Sequence, residues 1–201
     1  MIAIIDYDAG NIRSVEKALE SLGADYKLTR DSSEIAAADK VILPGVGAFG
    51  DAMRKLEEYR LIDVIHRVVD KGTPFLGICL GLQVMFEDSE ESPGVKGLGL
   101  LPGHVVRFSG EGGLKVPQIG WNSLTDVKKC RLLKNVYGGS YVYFVHSYYV
   151  KADEPEDVVA RAVYGDTADV AVEHGNLFGC QFHPEKSSSI GIKILNNFVN
   201  L

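Results

Sequence analysis

The chain begins with short apolar runs that alternate with segments of helical periodicity, and this alternation limits the fold more than any other feature. The runs predict strands at Met1–Tyr7, Asp25–Thr29, Lys40–Leu43 and Phe75–Ile78. Alternation of strand and helix is typical of a parallel sheet that helices cover on both faces. Ligands of such sheets bind beyond the carboxyl ends of the strands, so the loops after the third and fourth runs are candidate sites.

Helical periodicity fills the segments between these runs. Ile12, Val15 and Leu19 recur at helical spacing, with Asn11 as a candidate N-cap and Gly23 as the stop. A short helix is predicted near Ser33–Ala37, and two helices fit between Asp51 and Lys71. A further helix is expected directly after Cys79.

After Glu87 the pattern changes to short strands and turns, beginning with an acidic turn at residues 88–92. These strands predict hairpins or a mixed extension of the sheet, and Gly175-Asn176 predicts a hairpin turn between the last two. A helix at Ser189–Val199 ends the chain. The predicted strands are Val105–Phe108, Asn122–Thr125, Tyr141–Val145, Tyr148–Lys151, Val158–Tyr164, Val170–Glu173 and Leu177–Gln181. No linker divides the chain, so we expect one domain over residues 1–201.

Composition excludes several classes of function. A net charge of −6 argues against nucleic acid or an anionic membrane as the main partner. The apolar start lacks the basic segment and cleavage site of a signal peptide, and no apolar run is long enough to span a bilayer. The 3 cysteines are odd in number and widely spaced, which argues against a disulfide framework or a zinc site and fits a cytoplasmic protein.

The fourth strand runs into Gly77-Ile78-Cys79-Leu80-Gly81. The order strand, sharp turn, helix matches the nucleophile elbow that Gly-x-Ser-x-Gly forms in α/β-hydrolases. Cys79 would stand at a helix N-terminus, where free amides favour negative charge. A buried structural cysteine in a glycine-rich turn explains this motif equally well.

A cysteine nucleophile needs a base, and the base needs an orienting partner. His183 follows the last strand, and Pro184 fixes a turn that can bring the Glu185 carboxylate to the far ring nitrogen. The tripeptide alone is better explained by a polar turn that carries no chemistry. His146, at a corner between two strands, is a further candidate to line a site.

Acyl transfer also needs amide donors for the developing oxyanion. The amide of Leu80, directly after the candidate nucleophile, is one. Pro44-Gly45-Val46-Gly47 follows the third strand, and its glycines permit unusual peptide orientations. An ordinary glycine-rich turn is the alternative.

Together these motifs resemble the triad (class I) glutamine amidotransferases, and the resemblance covers the whole chain. More narrowly, the chain resembles the family of glutaminase subunits of imidazole glycerol phosphate synthase. Gln118 departs from the pattern, because relatives often carry histidine there. The motifs of the narrower resemblance are Asp6–Asn11, Pro93–Gly99, Val116–Asn122 and Tyr143–Tyr148.

The resemblance implies a fold and a reaction. The fold is an α/β fold with a mixed, mainly parallel open sheet flanked by helices, in the flavodoxin-like style of these amidotransferases. Glutamine is hydrolysed to glutamate and ammonia without a cofactor or metal. The implied catalytic residues are Cys79, His183 and Glu185, and the implied oxyanion amides are those of Val46 or Gly47 together with Leu80.

The resemblance also implies a glutamine site and a partner. Gln83 and Glu91, with the backbone of Ser147 and Tyr148, would hold the α-amino and α-carboxylate end of glutamine. The partner is a (β/α)8-barrel cyclase subunit, which uses the ammonia to make imidazole glycerol phosphate and aminoimidazole carboxamide ribotide in histidine biosynthesis. The residues placed toward this heterodimer interface are Asn11, Trp121, Tyr143 and Lys186.

Two alternatives stay open at this point. One is a different triad amidotransferase, for instance one that serves nucleotide, anthranilate or pyridoxal phosphate synthesis, but the Pro-Gly-Val-Lys-Gly and Gly-Trp-Asn stretches count against this. A catalytically silent binding subunit is the other, and the presence of all three triad residues counts against it.

Overall fold

A computed structural model describes residues 1–201, and a ten-stranded mixed sheet forms its centre. The strands are β1 (Ile2–Ile5), β2 (Tyr26–Thr29), β3 (Lys40–Leu43), β4 (Phe75–Ile78), β5 (Asp88–Ser89), β6 (Gly103–Arg107), β7 (Gln118–Ser123), β8 (Tyr141–His146), β9 (Tyr148–Ala152), β10 (Val158–Tyr164), β11 (Asp166–His174) and β12 (Leu177–Cys180). The helices are α1 (Ile12–Ser21), α2 (Ser32–Ala37), α3 (Phe49–Glu58), α4 (Ile62–Asp70), α5 (Leu80–Gln83) and α6 (Ser188–Val199). None of the helices combines the length and apolarity that a bilayer crossing requires.

The strand order in the sheet is β2-β1-β3-β4-β12-β11-β9-β6-β5, with β10 paired to β11. The first five strands of this order are parallel, whereas β12, β11, β9 and β6 pair antiparallel in succession. Strands β7 and β8 form a separate two-stranded antiparallel sheet. The predicted mixed sheet flanked by helices is therefore confirmed.

Both faces of the sheet are buried, as the continuous apolar runs predict. Alternate side chains of β1 enter different cores: Ile2 and Ile4 pack with α1 and α6, whereas Ala3 and Ile5 pack with α2, α3 and α4. The two cores hold 28 and 27 buried residues. Helices on both faces thus fix the sheet from either side and leave its edges and strand ends for function.

Strand β12 lies directly beside β4, although about 100 residues separate them in sequence. Ile78 pairs with Cys180, and the amide of Cys79 donates to the carbonyl of Cys180 at 2.8 Å. Leu43 at the end of β3 pairs with Gly77 on the other side of β4. The segments after β3, β4 and β12 therefore leave the sheet together at one edge.

Three local predictions are wrong. The strand expected at Asn122–Thr125 lies at Gln118–Ser123, because its hydrogen bonds go to β8, whereas Thr125 forms only an isolated bridge to Arg161 of β10. The predicted acidic turn begins with a short strand, β5, parallel to β6. Asn11 stands at the N-cap position of α1, but its side chain makes no hydrogen bond to the helix amides.

The helix after Cys79 is short for a clear reason. It ends at Gln83 because the next carbonyls are taken by a following loop. The carbonyl of Val84 accepts the amide of Leu98, and that of Met85 accepts the amide of Leu100. The apolar run after the elbow is thus held as a turn against this loop.

Candidate active site

Cys79 stands on a strained turn between β4 and α5. Its backbone has φ 54° and ψ −109°, a conformation that side chains rarely adopt. Glycine is required on both sides: a Cβ at Gly77 would lie 2.7 Å from the carbonyl oxygen of Gly81, and one at Gly81 would lie 1.8 Å from that of Leu43. The Gly-x-Cys-x-Gly motif therefore forms the elbow that the sequence predicts.

His183 and Glu185 meet at the end of the neighbouring strand. Nδ1 of His183 lies 2.8 Å from Oε1 of Glu185, and both side chains are almost fully buried. Pro184 begins a single 3₁₀ turn over residues 184–186 that brings the two side chains together. The predicted turn is present, and it orients the histidine ring as a base requires.

The electrostatics of His183 favour its charged form. Burial disfavours a charged ring, but the neighbouring Cys79 and the hydrogen-bonded Glu185 outweigh burial and raise the pKa of His183 to about 9. Since Nδ1 is engaged by Glu185, Nε2 is the nitrogen left to interact with Cys79. Nε2 makes no hydrogen bond of ordinary geometry.

Asn11 joins the same cluster from the opposite side. Its Nδ2 donates to Oε1 of Glu185 at 2.7 Å, and its Oδ1 accepts from Ser14. Oε1 thus accepts two hydrogen bonds, whereas the buried Oε2 accepts none. The side chain that was expected to cap α1 instead holds the carboxylate beside His183.

The loop after β3 lies against the elbow. The amide of Leu80 donates to the carbonyl of Gly45 at 3.4 Å, which is a long bond. The amides of Val46 and Gly47 donate to no protein acceptor, and Gly47 has φ 110°. Space between Val46, His183 and Glu185 does not admit a water molecule. The candidate oxyanion amides are therefore close together, but one of them is occupied by the loop.

A pair of buried glutamines connects the thiol to β9. Nε2 of Gln181 lies 3.6 Å from Sγ of Cys79, and Oε1 of Gln181 accepts from Nε2 of Gln83 at 3.0 Å. Gln83 also donates to the carbonyl of Tyr148 at 2.9 Å. Of the predicted glutamine-binding residues, Gln83 and Tyr148 therefore lie in one network with Cys79.

Glu91 and Ser147 have structural contacts of their own. Oε2 of Glu91 accepts the amide of Phe49 at 2.8 Å and so caps the start of α3. The carbonyl of Ser147 accepts the amide of Phe108 at 3.1 Å. Each residue retains polar groups that these bonds do not use.

His146 is a buried neutral histidine. Burial lowers its pKa to about 4, and its Nδ1 lies 2.8 Å from the carbonyl of Tyr148, which makes Nδ1 the protonated nitrogen. Its Nε2 has no hydrogen-bonding partner. His146 therefore has a neutral ring with one free acceptor, unlike His183.

The other two cysteines are poor competitors for nucleophilic chemistry. Burial raises the pKa of Cys130 to about 11 and raises that of the fully buried Cys180 well above its ordinary value. A cavity of about 800 Å³ lies beside Cys130, and Lys128, Arg131 and Lys134 are among its lining residues. No residue of the elbow or of the His183–Glu185 turn lines this cavity.

Three residues predicted to lie toward a partner stand on neighbouring elements, since the amide of Tyr143 donates to Oγ of Ser187, the residue after Lys186. Trp121 on β7 is 52% exposed and packs edge-on against Tyr143 on β8, with ring centroids 6.1 Å apart. Lys186 is exposed on the turn that carries Glu185. Ile119, which is 64% exposed, lies on the same face of β7 as Trp121. We call the face formed by Ile119, Trp121, Tyr141 and Tyr143 the β7–β8 face.

Sequence reasoning missed two residues at this site, Tyr7 and Gln181. Gln181 precedes the His183 motif, and only the pairing of β12 with β4 brings it to Cys79. Tyr7 ends the first apolar run, and a Cβ at Gly45 would lie 2.1 Å from its hydroxyl. A polar residue within an apolar run is a signal that could have singled out each of them. Their contacts could not be predicted, because the residues they meet are distant in sequence.

Comparison with known proteins gives concordant results. Residues 3–201 match the family model described as glutamine amidotransferase class-I. The chain is 49% identical over 201 residues to the imidazole glycerol phosphate synthase subunit HisH of Methanocaldococcus jannaschii, with all of both chains covered. It is 52% identical over 198 residues to the HisH subunit of Desulfitobacterium hafniense, covering 98% of this chain and 93% of that protein.

The fold agrees with solved structures. A glutamine amidotransferase crystal structure superimposes with a TM-score of 0.77 at 21% identity, with all of both chains covered. Identity at this level supports the fold alone, which is the flavodoxin-like α/β arrangement.

Proposed function

The chain belongs to the class-I glutamine amidotransferases, in the family of HisH subunits of imidazole glycerol phosphate synthase, and we propose that it hydrolyses glutamine to glutamate and ammonia with Cys79 as nucleophile. His183 is the general base and then the general acid, and Glu185 orients it. Residues 1–201 act as one amidotransferase domain.

The strongest support for this proposal is the placement of the three candidate catalytic residues. Cys79 on its elbow, and the His183–Glu185 pair with its 2.8 Å hydrogen bond, follow adjacent parallel strands whose last residues are in register. A nucleophile, a base and an orienting carboxylate are the parts that covalent acyl transfer requires. The raised pKa of His183 fits a ring that can hold the thiol proton as an imidazolium.

The chemistry follows from these parts. Sγ of Cys79 attacks the side-chain amide carbon of glutamine, and the thiol proton resides on Nε2 of His183. The tetrahedral intermediate collapses as His183 gives that proton to the leaving nitrogen, which departs as ammonia and leaves a γ-glutamyl thioester. Water, deprotonated by His183, then attacks the thioester and releases glutamate and the free thiol.

The oxyanion of each tetrahedral step needs two amide donors, those of Leu80 and of Val46 or Gly47. In the free chain the Leu80 amide is bonded to the Gly45 carbonyl. This supports a resting state of low activity, from which a partner releases the amide by moving the loop. Removing a single oxyanion donor costs about 10²–10³-fold in rate in comparable sites, so such control is strong.

The α-amino and α-carboxylate end of glutamine is held by Gln83, Glu91 and the backbone of Ser147 and Tyr148. The network from Gln83 through Gln181 to Cys79 supports this arrangement, because it ties the substrate end of the site to the thiol. Glu91 contributes either a direct contact or, through its cap on Phe49, the position of α3.

The proposed partner is the (β/α)8-barrel cyclase subunit of imidazole glycerol phosphate synthase. Ammonia that escapes to water is mostly protonated and loses its nucleophilicity, so the glutaminase must deliver it to the cyclase directly. The β7–β8 face supports docking, since it exposes large apolar side chains of the type that anchor interfaces. Asn11, Trp121, Tyr143 and Lys186 are the proposed contacts, and the products are imidazole glycerol phosphate and aminoimidazole carboxamide ribotide, in histidine biosynthesis.

The test is glutamate release by the purified chain with and without its cyclase and the cyclase's nucleotide ligand. We expect co-purification of the two subunits and a strong increase in glutamate release on assembly. Equal rates with and without the partner would contradict the resting state, and no release under either condition would favour a silent binding subunit.

A further inference from the structure

Tyr7 carries a buried hydroxyl that no group in the protein satisfies. The residue is 2% exposed, and its Oη makes no hydrogen bond. Buried polar atoms in folded proteins are nearly always paired, so an exception calls for a reason. The hydroxyl belongs to none of the roles assigned above.

The position of this hydroxyl is specific. A Cβ built on Gly45 would lie 2.1 Å from Oη of Tyr7, 3.1 Å from Cβ of Leu80 and 3.3 Å from the amide nitrogen of Gly81. Tyr7 therefore reaches the junction between the loop after β3 and the first turn of α5. Only glycine at position 45 leaves room for it.

Two hydrogen-bond donors thus approach Gly45, and one is unused. The carbonyl of Gly45 accepts the Leu80 amide at 3.4 Å, whereas the Tyr7 hydroxyl donates to nothing. If the Leu80 amide turns to a substrate oxyanion, the carbonyl of Gly45 loses its donor. A buried carbonyl left unpaired would oppose that turn.

We propose that Tyr7 is a positioning residue. Its hydroxyl donates a hydrogen bond to the Gly45 carbonyl when the Leu80 amide leaves that carbonyl to bind the oxyanion. The inference rests on the proposed glutaminase function. The carbonyl then exchanges one donor for another, and the active arrangement of the loop keeps its hydrogen bonds. In the resting chain the hydroxyl of Tyr7 is unpaired because the Gly45 carbonyl still accepts from the Leu80 amide.

The protonation state of Tyr7 suits this role. Burial, and to a smaller extent the charge of Cys79, holds the pKa of Tyr7 well above its ordinary value. The phenol therefore stays protonated, and remains a hydrogen-bond donor, over the pH range in which the thiol reacts. It does not exchange a proton with the substrate.

Tyr7→Phe isolates the hydroxyl, because it removes one oxygen that is unpaired at rest. We expect Tm to be unchanged or slightly raised, since an unsatisfied buried group is lost. In the complex with the cyclase and its nucleotide ligand, kcat for glutamate release should fall about three- to tenfold, the effect of one neutral hydrogen bond. KM for glutamine should change less than kcat, and the shape of the pH–rate profile should be kept.

Tyr26→Phe is the matched control, since that hydroxyl donates to Glu20 on an exposed surface away from the site. It should leave kcat unchanged. Tyr7→Phe with wild-type kcat would overturn the inference, as would a fall in kcat accompanied by a lower Tm. If the wild-type complex itself released no glutamate, the proposed function would fail, which is a distinct result.

Discussion

The amide of Cys79 donates to the carbonyl of Cys180 at 2.8 Å, which joins the ends of two parallel strands. Because of this bond, the residues that follow each strand emerge side by side. Cys79 comes directly after one strand, and His183 comes three residues after the last residue of the other. The backbone register of β4 and β12 is therefore enough to bring the candidate nucleophile and the candidate base together.

Glu185→Gln tests the orienting carboxylate. The substitution keeps the size of the side chain but removes the charge, and that charge and its hydrogen bond help to raise the pKa of His183. We expect the pKa of His183, followed by NMR, to fall below about 9, and kcat for glutamate release to fall about 10²–10⁴-fold. An unchanged pKa would contradict the account.

The same group makes stability depend on pH in a defined direction. The pKa of His183 is raised in the folded state, so its stabilising contribution is complete below about 6.5, the unfolded value, and is lost as pH rises through about 9. Chemical denaturation from pH 6 to pH 10 should show this loss in the wild type. In Glu185→Gln this stability should be lost at lower pH, because the pKa of His183 is lower. A wild-type protein that becomes more stable as the pH rises over this range would contradict the prediction.

Asn11→Ala tests the second hydrogen bond to Glu185. Its loss frees the carboxylate to turn, since Nδ2 of Asn11 donates to Oε1 at 2.7 Å. We expect kcat in the complex to fall about three- to tenfold. Asn200→Ala is the control, because that side chain bonds only to Asn196 on the surface. Equal kcat for Asn11→Ala and the control would show that Asn11 does not act through Glu185.

Trp121→Ala tests the β7–β8 face. A large exposed aromatic side chain at the centre of an interface contributes about 1–4 kcal/mol, so the Kd for the cyclase should rise at least about fivefold. Thermal stability of the free chain should change little, since the side chain is 52% exposed. Tyr137→Ala, with an aromatic side chain that is 71% exposed outside this face, should leave Kd unchanged; weakening by both variants alike would argue against a specific face.

Local patterns predicted much of the fold. Strands β3, β4 and β10 have the predicted bounds, and the elbow and the His183–Glu185 turn form as expected, because glycine and proline dictate their backbones locally. The position of β7 was missed because a strand in a small separate sheet takes its register from β8. Asn11 was assigned to α1 because its partner Glu185 lies 174 residues away.

The remaining features of the site depend on strand order, which local sequence does not encode. Gln181 reaches Cys79 only because β12 lies beside β4. Tyr7 reaches Gly45 only because β1 and β3 are neighbours. Contacts of this kind decide how the site is controlled, whereas the motifs decide what chemistry it has.

The most direct test compares glutamate release by the wild type and by Cys79→Ala, each assembled with the cyclase and its nucleotide ligand. Cys130→Ala serves as the control, since that thiol lines a cavity that includes no residue of the elbow. The account predicts rapid release by the wild type and by Cys130→Ala, and none above background by Cys79→Ala. Added ammonia should still support cyclisation in all three complexes. Full glutaminase turnover by Cys79→Ala would contradict the assignment of Cys79 as the nucleophile.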